Sequence, residues 1–419
     1  MNIAYGMVNL LRGQVTARIT PASWWHNVTG GWVWDLDEFV VNQLGHPYQG
    51  SNYFTAGRAN GLSFYESAGI AAFGSGTWEY FGETNQPSLN DFINTTLGGI
   101  AMGEMAHRAG WLIRDTRVTG RARLWREIAA AAVDPLSGLN RVVSGEVSRV
   151  SEKPAQFVPS TQGGFVSSGV LWRGASADSD ESGADPFLQI DLLYGDTERG
   201  HSRTPYEAFN VRLTAGGGGT LSEARVRGRL LGMPFRDDRL QFSLIQSYTF
   251  LGNRAYQFGA QSFEARLGGT AQLSPRSSLA LLGWGGVTLL GAVDSRPFDP
   301  PATWPPQQGS TGQGVSDEPR RYDYGPGWTF GASATMNRGG HEVVTAVYEG
   351  RSVYSLDGIR ANHLLQRVRA DVVVPVWNRL GIGVAGEYFG RFSLYQDPRR
   401  TRRVYRYPQF RAFLAWSLP

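Results

Sequence analysis

At 419 residues the chain has room for more than one domain and a large core. Charged residues make up only 18 %, below the ~25 % of ordinary soluble domains, beside 54 glycines and 12 % aromatics. The excess of 40 basic over 36 acidic side chains is too small to argue for nucleic acid, and the absence of cysteine excludes disulfides, thiolate chemistry and Cys-ligated metals. No window approaches the ~18–20 consecutive apolar residues of a spanning helix, which leaves a spanning barrel open.

The opening MNIAYGMVNLLRG lacks a charged leading region and fits a secretory signal poorly, so an envelope protein would be numbered here from inside a longer precursor. Residues 1–33 read as an irregular or partly helical lead-in. Its Trp24, Trp25, Trp32 and Trp34 suit either a membrane interface or a tryptophan-rich packing corner.

From Asp35 to about Val143 the pattern is helical. A short amphipathic run is expected to stop at Gly45-His46-Pro47, and a second helix to lie between Ser51 and Asn60. Ser63 with Glu66 forms a capping box that opens a helix through about Gly82. Ser88 caps another, with Asp91 in its first turn, running to about Arg114. A last helix spans roughly Arg121 to Val133, with a short continuation around Leu139.

The period changes after Glu146. Residues 147–162, with Pro154, Pro159 and a Gly pair, read as a linker, and from 163 onward segments of ten to fifteen residues alternate apolar and polar between turn residues. Leu188, Ile190 and Leu192 oppose Gln189 and Asp191; Val368, Val372 and Val374 oppose Arg367, Arg369 and Asp371; Phe410, Leu414 and Trp416 oppose Gln409 and Arg411. Charges of both signs on one side of strand after strand suit the lumen of a barrel with lipid outside. About twelve such strands, from 163–173 to 403–418, with a third expected at 206–214 and a sixth at 255–268, make the fold class mixed: an antiparallel transmembrane β-barrel behind an α-helical N-terminal domain of residues 1–146. The Pro/Gln/Gly-rich stretch from Asp294 to Arg321 reads as a long loop on the outer side, and the turns at Arg236-Asp237-Asp238 and Gly339-Gly340 as tight periplasmic ones.

The chemistry concentrates in the helical part. Glu79 and Glu83 share a helical face, Asp91 begins the next helix, and Glu104 and His107 follow further along it. With His46 or His107, the carboxylates of Glu79, Glu83 and Asp91 form a candidate set for general acid/base work or for a divalent cation. Asp35, Asn42, Arg58 and Glu104 are the candidate binding residues. The same groups are equally explained as helix caps and cross-braces of a small bundle. No phosphate-binding glycine loop, GxSxG or HExxH occurs, and the sequence names no metal or cofactor beyond a possible divalent cation.

The runs SWWHNVTGGWVWDLDEFVVNQLGHPYQGSNYFTAGRANGLSFYES, GSGTWEYFGETNQPSLNDFINTTLGGIAMGE and RLWREIAAAAVDPLSGLNR resemble the bacterial envelope family catalogued as domain of unknown function 3943. The resemblance covers about residues 20–145 and implies no activity. The pattern from Glu83 to Gly103 is also similar to one helix of VanZ-like membrane families. The barrel part resembles outer-membrane proteins in general, but closes on Trp416-Ser417-Leu418-Pro419 rather than on the aromatic residue with which such barrels commonly end.

Two readings stand. In one, the helical domain is a periplasmic adaptor, or a plug in the barrel mouth, serving envelope structure, transport or docking. In the other, it is a hydrolase or transferase acting on lipid or envelope glycan through the carboxylate and histidine set. Outer-membrane lipid is the expected partner in both, with a periplasmic protein or an envelope glycan as further partners and nucleic acid as none.

Overall fold

The computed structural model describes residues 1–174, 182–196, 201–202, 204–217, 219–235, 240–253, 256–294, 322–396 and 403–418. Two compact units appear, one holding Met1–Val158 and the other Pro159–Asp294 with Asp323–Pro419.

The first unit is helical: α1 (Asn2–Leu11), α2 (Pro21–Gly30), α3 (His46–Ala59), α4 (Phe64–Phe81), α5 (Leu89–Ile93), α6 (Gly99–Ile113), α7 (Gly120–Val133) and α8 (Pro135–Val143). The Ser63/Glu66 capping box opens α4 as expected, and Thr20 with Ser23 makes a second box at α2 that the sequence reading left out. One boundary is corrected. The run before Pro47 does not stop there but passes through a π-helical turn, Val41–Gly45, directly into α3. A π turn widens the helix where proline supplies no N–H and its ring would crowd the preceding carbonyls. A second π turn, Asn94–Gly98, joins α5 to α6 within the expected 88–114 helix.

The two widened helices meet at glycines. A Cβ on Gly50 would lie 1.7 Å from the Thr95 carbonyl oxygen, and one on Gly99 2.4 Å from the Gly50 carbonyl carbon. Backbone therefore packs on backbone, as small residues allow between membrane helices.

The second unit is a closed antiparallel barrel: β1 (Gln162–Arg173), β2 (Gly183–Tyr194), β3 (Phe209–Gly216), β4 (Glu223–Phe235), β5 (Leu240–Gly252), β6 (Gln257–Ser274), β7 (Ser277–Asp294), β8 (Tyr322–Arg338), β9 (His341–Tyr354), β10 (Ala361–Trp377), β11 (Leu380–Tyr395) and β12 (Arg403–Leu418), each beside the next and β12 closing on β1. The register Val166↔Trp416 and Val170↔Ala412 makes that closure. The alternation expected from sequence sets the faces: Gln409, Arg411 and Phe413 are buried, while Phe410, Leu414 and Trp416 are exposed. An apolar outside, a charged inside and an even strand count are the construction of an outer-membrane barrel, in which closure satisfies every backbone group.

β4 and β7 each run four residues past their expected ends, and two further strands differ from the bounds given above. β3 begins at Phe209 rather than 206 because Tyr206, at φ 61°, leaves the extended region and gives its N–H to the Arg229 carbonyl. β6 continues to Ser274, pairing with β7 to a tight turn. The Gly339-Gly340 turn forms with both residues at positive φ, the hairpin geometry that glycine permits. The expected outer loop at 295–321 and the turn at 236–239 lie outside the described residues.

Candidate functional site

In the helical unit, a short strand-like bridge begins the construction. The Val33 N–H donates to the Pro87 carbonyl (2.8 Å) and the Leu89 N–H to the Val33 carbonyl (2.9 Å), pinning the extended stretch after Val33 beside the start of α5. The Asp35 N–H then donates to Asn90 Oδ1 at 2.8 Å. The Asp35 carboxylate accepts from the N–H groups of Leu36 (2.6 Å) and Asp37 (3.2 Å), and Asn42 Nδ2 lies 3.4 Å away. The π turn before α3 carries Asn42, whose Oδ1 accepts from Asn90 Nδ2 at 3.3 Å, and delivers His46 at its end.

His46 joins the two widened helices. Its Nε2 lies 3.5 Å from Asp91 Oδ1 and its Nδ1 3.2 Å from Thr95 Oγ1. Asp91 also accepts from Asn90 Nδ2 at 2.8 Å. From α4, Glu79 accepts the Ser88 N–H at 2.8 Å; just past its end, Glu83 accepts from Trp78 Nε1 at 2.7 Å. Among the described residues, Glu79, Glu83 and Asp91 have no arginine or lysine partner, and the His46 imidazole stands beside Asp91.

Burial without a counter-charge decides the protonation. It raises Asp91 well above the ordinary carboxylate range, with repulsion from Asp35 and Glu79 adding to it. Glu79 is raised well above that range too, by burial and then by Glu83. Glu83 is pushed up to about 7 by burial, the Trp78 hydrogen bond pulling back. Asp37 is pushed up to about 6 by burial and the charge of Asp35. Burial lowers His46 to about 4, leaving its imidazole neutral near pH 7. One ligand atom each from Asp35, Asp37 and His46 lies within 4.8 Å of the others, a set able to hold a divalent cation. The same arrangement can store and share protons.

The sequence-derived set is therefore divided in space. Glu79, Glu83, Asp91, His46, Asp35 and Asn42 come together, but His107 does not join them. Its Nδ1 lies 2.9 Å from Asp134, whose other oxygen caps α8 through the Ser137 N–H at 3.0 Å. Arg58 and Glu104 form another group: Glu104, fully buried, accepts from Arg58 Nε (2.8 Å) and Arg108 Nε (2.7 Å). Sequence reasoning missed Asn90 in the first group. Asn90 stands beside Asp91 in a Ser-x-Asn-Asp run, where a cap signal hides a second polar role.

The barrel lumen holds a different kind of cluster. Arg367 on β10 donates to Glu223 on β4 through both Nη atoms (3.0 and 3.1 Å), and β10 stands six strands from β4 in either direction around the ring. Arg225 on β4 forks onto Glu349 on β9 (2.8 and 3.1 Å), joined by Arg227 at 2.6 Å. Arg367 also bonds Glu387, which Arg411 reaches at 2.9 Å. The Arg367–Glu223 and Arg225–Glu349 links cross the bore, whereas those of Glu387 to Arg367 and Arg411 join neighbouring strands along the wall. Toward the end where β1 begins they leave a cavity of about 280 Å³, lined by Arg212, Arg266, Arg369, Asp191, Asp371 and Phe413 among others.

No curated protein matches the sequence. Among solved structures, the chain is similar to the NanC porin (6 % identity, 62 % of this chain and 100 % of that one, TM-score 0.27) and the KdgM porin (9 %, 61 % and 99 %, TM-score 0.25). It is likewise similar to the toluene transporter TodX of Pseudomonas putida (8 %, 62 % and 90 %, TM-score 0.22). Residues 31–136 match the family described as domain of unknown function DUF3943. From Asp35 to Asp91, the acid cluster accordingly lies wholly within the stretch that matches the DUF3943 family model.

Proposed function

We propose that this protein is an outer-membrane barrel shut at rest, which carries its DUF3943 domain at the membrane and passes solute only when its lumenal ion pairs open. The diametric Arg367–Glu223 link carries this reading. Larger barrels of 16–18 strands leave an aqueous channel, whereas a bore of twelve is narrow enough for an arginine and a glutamate to meet across it. Pairing of this quality exchanges a hydrated path for charges that satisfy one another. Purified protein in a planar bilayer should give no steady conductance, and Glu223→Gln with Glu349→Gln should give frequent open events. Steady porin-like conductance of the unmodified chain would overturn the reading.

The cavity favours a second reading for what passes. Arginines and aspartates around Phe165 and Phe413 offer both hydrogen bonds and an apolar face, which suits a polar solute such as an envelope glycan fragment. Swelling of proteoliposomes in an oligosaccharide solution, present in the Glu223→Gln/Glu349→Gln variant and absent from it after a further Arg212→Ala, would support that class. Swelling unaffected by Arg212 would remove it.

A further inference from the structure

Around a conventional core of Tyr53, Phe54 and Ile100, the helical unit carries two helices built inside out. On α7 the buried face is Arg123, Glu127 and Ala130, while Leu124, Trp125 and Ile128 are exposed, Trp125 at 63 %. On α8 the buried face is Ser137, Gly138 and Arg141, and the exposed one Leu139, Val142 and Val143, the last at 79 %. Between the two helices Arg141 forks onto Glu127 (2.9 and 3.2 Å), and Arg114, fully buried, lies 3.4 Å from the same carboxylate. α4 adds exposed Tyr65, Ile70 and Phe73, although its inner face carries Trp78 beside Ser67, Ala71 and Ser75. A domain bathed in water places its charges outward and its large apolar side chains inward. α7 and α8 reverse that order.

We infer that the α7–α8 face of the helical unit is seated in the acyl-chain region of the same bilayer that the barrel crosses. Only three residues, Pro159–Thr161, separate the unit's last residue from β1, a reach of at most ~14 Å, so the exposed face is tethered to a membrane-spanning strand. α7 has 14 residues, a length of ~21 Å against a hydrocarbon core of ~30 Å, and no helix is long and apolar enough to cross. The face therefore lies in one leaflet as an interfacial element, with exposed Arg117 and Arg121 at its N-terminal end and Arg126 beside Trp125 able to reach lipid phosphates. Lipid outside also explains the polar inside: a charge network holds the helices together where no hydrophobic drive between them exists.

This inference rests on the barrel spanning a membrane, and the experiment separates the two. The chain has no cysteine, so single cysteines can be placed in the full-length protein at Trp125, Val143, Leu414 and Glu152 and labelled with a nitroxide. In phosphatidylcholine/phosphatidylglycerol vesicles, the relative collision rates with oxygen and with a water-soluble nickel chelate report the surroundings. Labels at Trp125→Cys and Val143→Cys should match the oxygen-rich profile of Leu414→Cys on the barrel exterior. A profile like that of exposed Glu152→Cys, or shielding from both reagents by protein, overturns the inference while Leu414→Cys stays lipid-like. A water-like Leu414→Cys overturns the membrane barrel itself, and this inference with it.

Discussion

The barrel lumen and the acid cluster of the helical unit both bury carboxylates, and they settle the charge in opposite ways. In the lumen, Glu223, Glu349 and Glu387 are each met by two or more arginines drawn from different strands. In the helical unit, Glu79, Glu83 and Asp91 meet, among the described residues, N–H groups and a neutral imidazole, so protons take the place of arginine. The difference teaches two ways to bury a carboxylate. On the proposed reading the paired charges lock the bore, whereas carboxylates without an arginine are able to exchange a proton or a cation.

The largest test of the contrast breaks the lock. Arg367→Met should cost the barrel about 3–5 kcal/mol, since it leaves buried glutamates short of a partner, and guanidinium unfolding in micelles should show it as a lower midpoint. Adding Glu223→Gln and Glu387→Gln to Arg367→Met should recover part of that loss, because the charges then leave together. A triple variant weaker than the single one would mean the network stabilises by more than charge matching.

On the helical side, Gly50→Ala drives a Cβ into the Thr95 carbonyl and should separate α3 from the π turn that holds Thr95. Overpacking of this kind costs about 1–3 kcal/mol or more. The helical circular-dichroism melt should fall while the barrel's heat-modifiable mobility on gels stays put. A shared loss of both would show that the two units unfold together.

Titration sharpens the contrast further. A carboxyl whose folded pKa is raised is stabilising while protonated and loses that contribution as pH climbs from its unfolded value, near 4.5, through its folded value. Glu83, at about 7, and Asp37, at about 6, should therefore make the helical unit more stable as pH falls from 7 toward 5, by on the order of 2 kcal/mol for Glu83. His46 acts in the other direction. Lowered to about 4, it contributes fully above about 6.5 and loses that contribution on acidification between the two values. Glu83→Gln should flatten the rise, as read from melting temperature against pH, and an unchanged slope would remove Glu83 from the cluster. The smallest effect belongs to Ser63→Ala, which removes one side of a capping box at the exposed start of α4 and should cost about 1 kcal/mol without moving the pH slope.

Much of the barrel was legible because a strand's period of two exposes its faces directly: Arg367, Arg369 and Asp371 opposite Val368, Val372 and Val374 already separate lumen from lipid. Less was legible in the site. Spacing put Glu79 near Glu83 and Asp91 in a first turn, but could not place His46 against Asp91 or send His107 to Asp134, because those contacts depend on how α3 lies on α5 and how α6 lies on the α7–α8 junction. The π turns that set that packing have no strong sequence signature. NTTLGG and VNQLGHP read as a helix interior and a helix stop.

By itself, then, the sequence determined the order of a helical unit and a twelve-stranded sheet, the face of each strand, and the caps at Ser63 and Ser88, all properties that neighbours along the chain decide. Tertiary structure alone decided that Glu223 meets Arg367 across the bore, and that Glu79, Glu83 and Asp91 gather, among the described residues, without an arginine. It also decided that α7 and α8 turn their charges inward. Each of these pairs residues tens or hundreds of positions apart, and the free energy of such a pair lies in burial and distance, which no local pattern encodes.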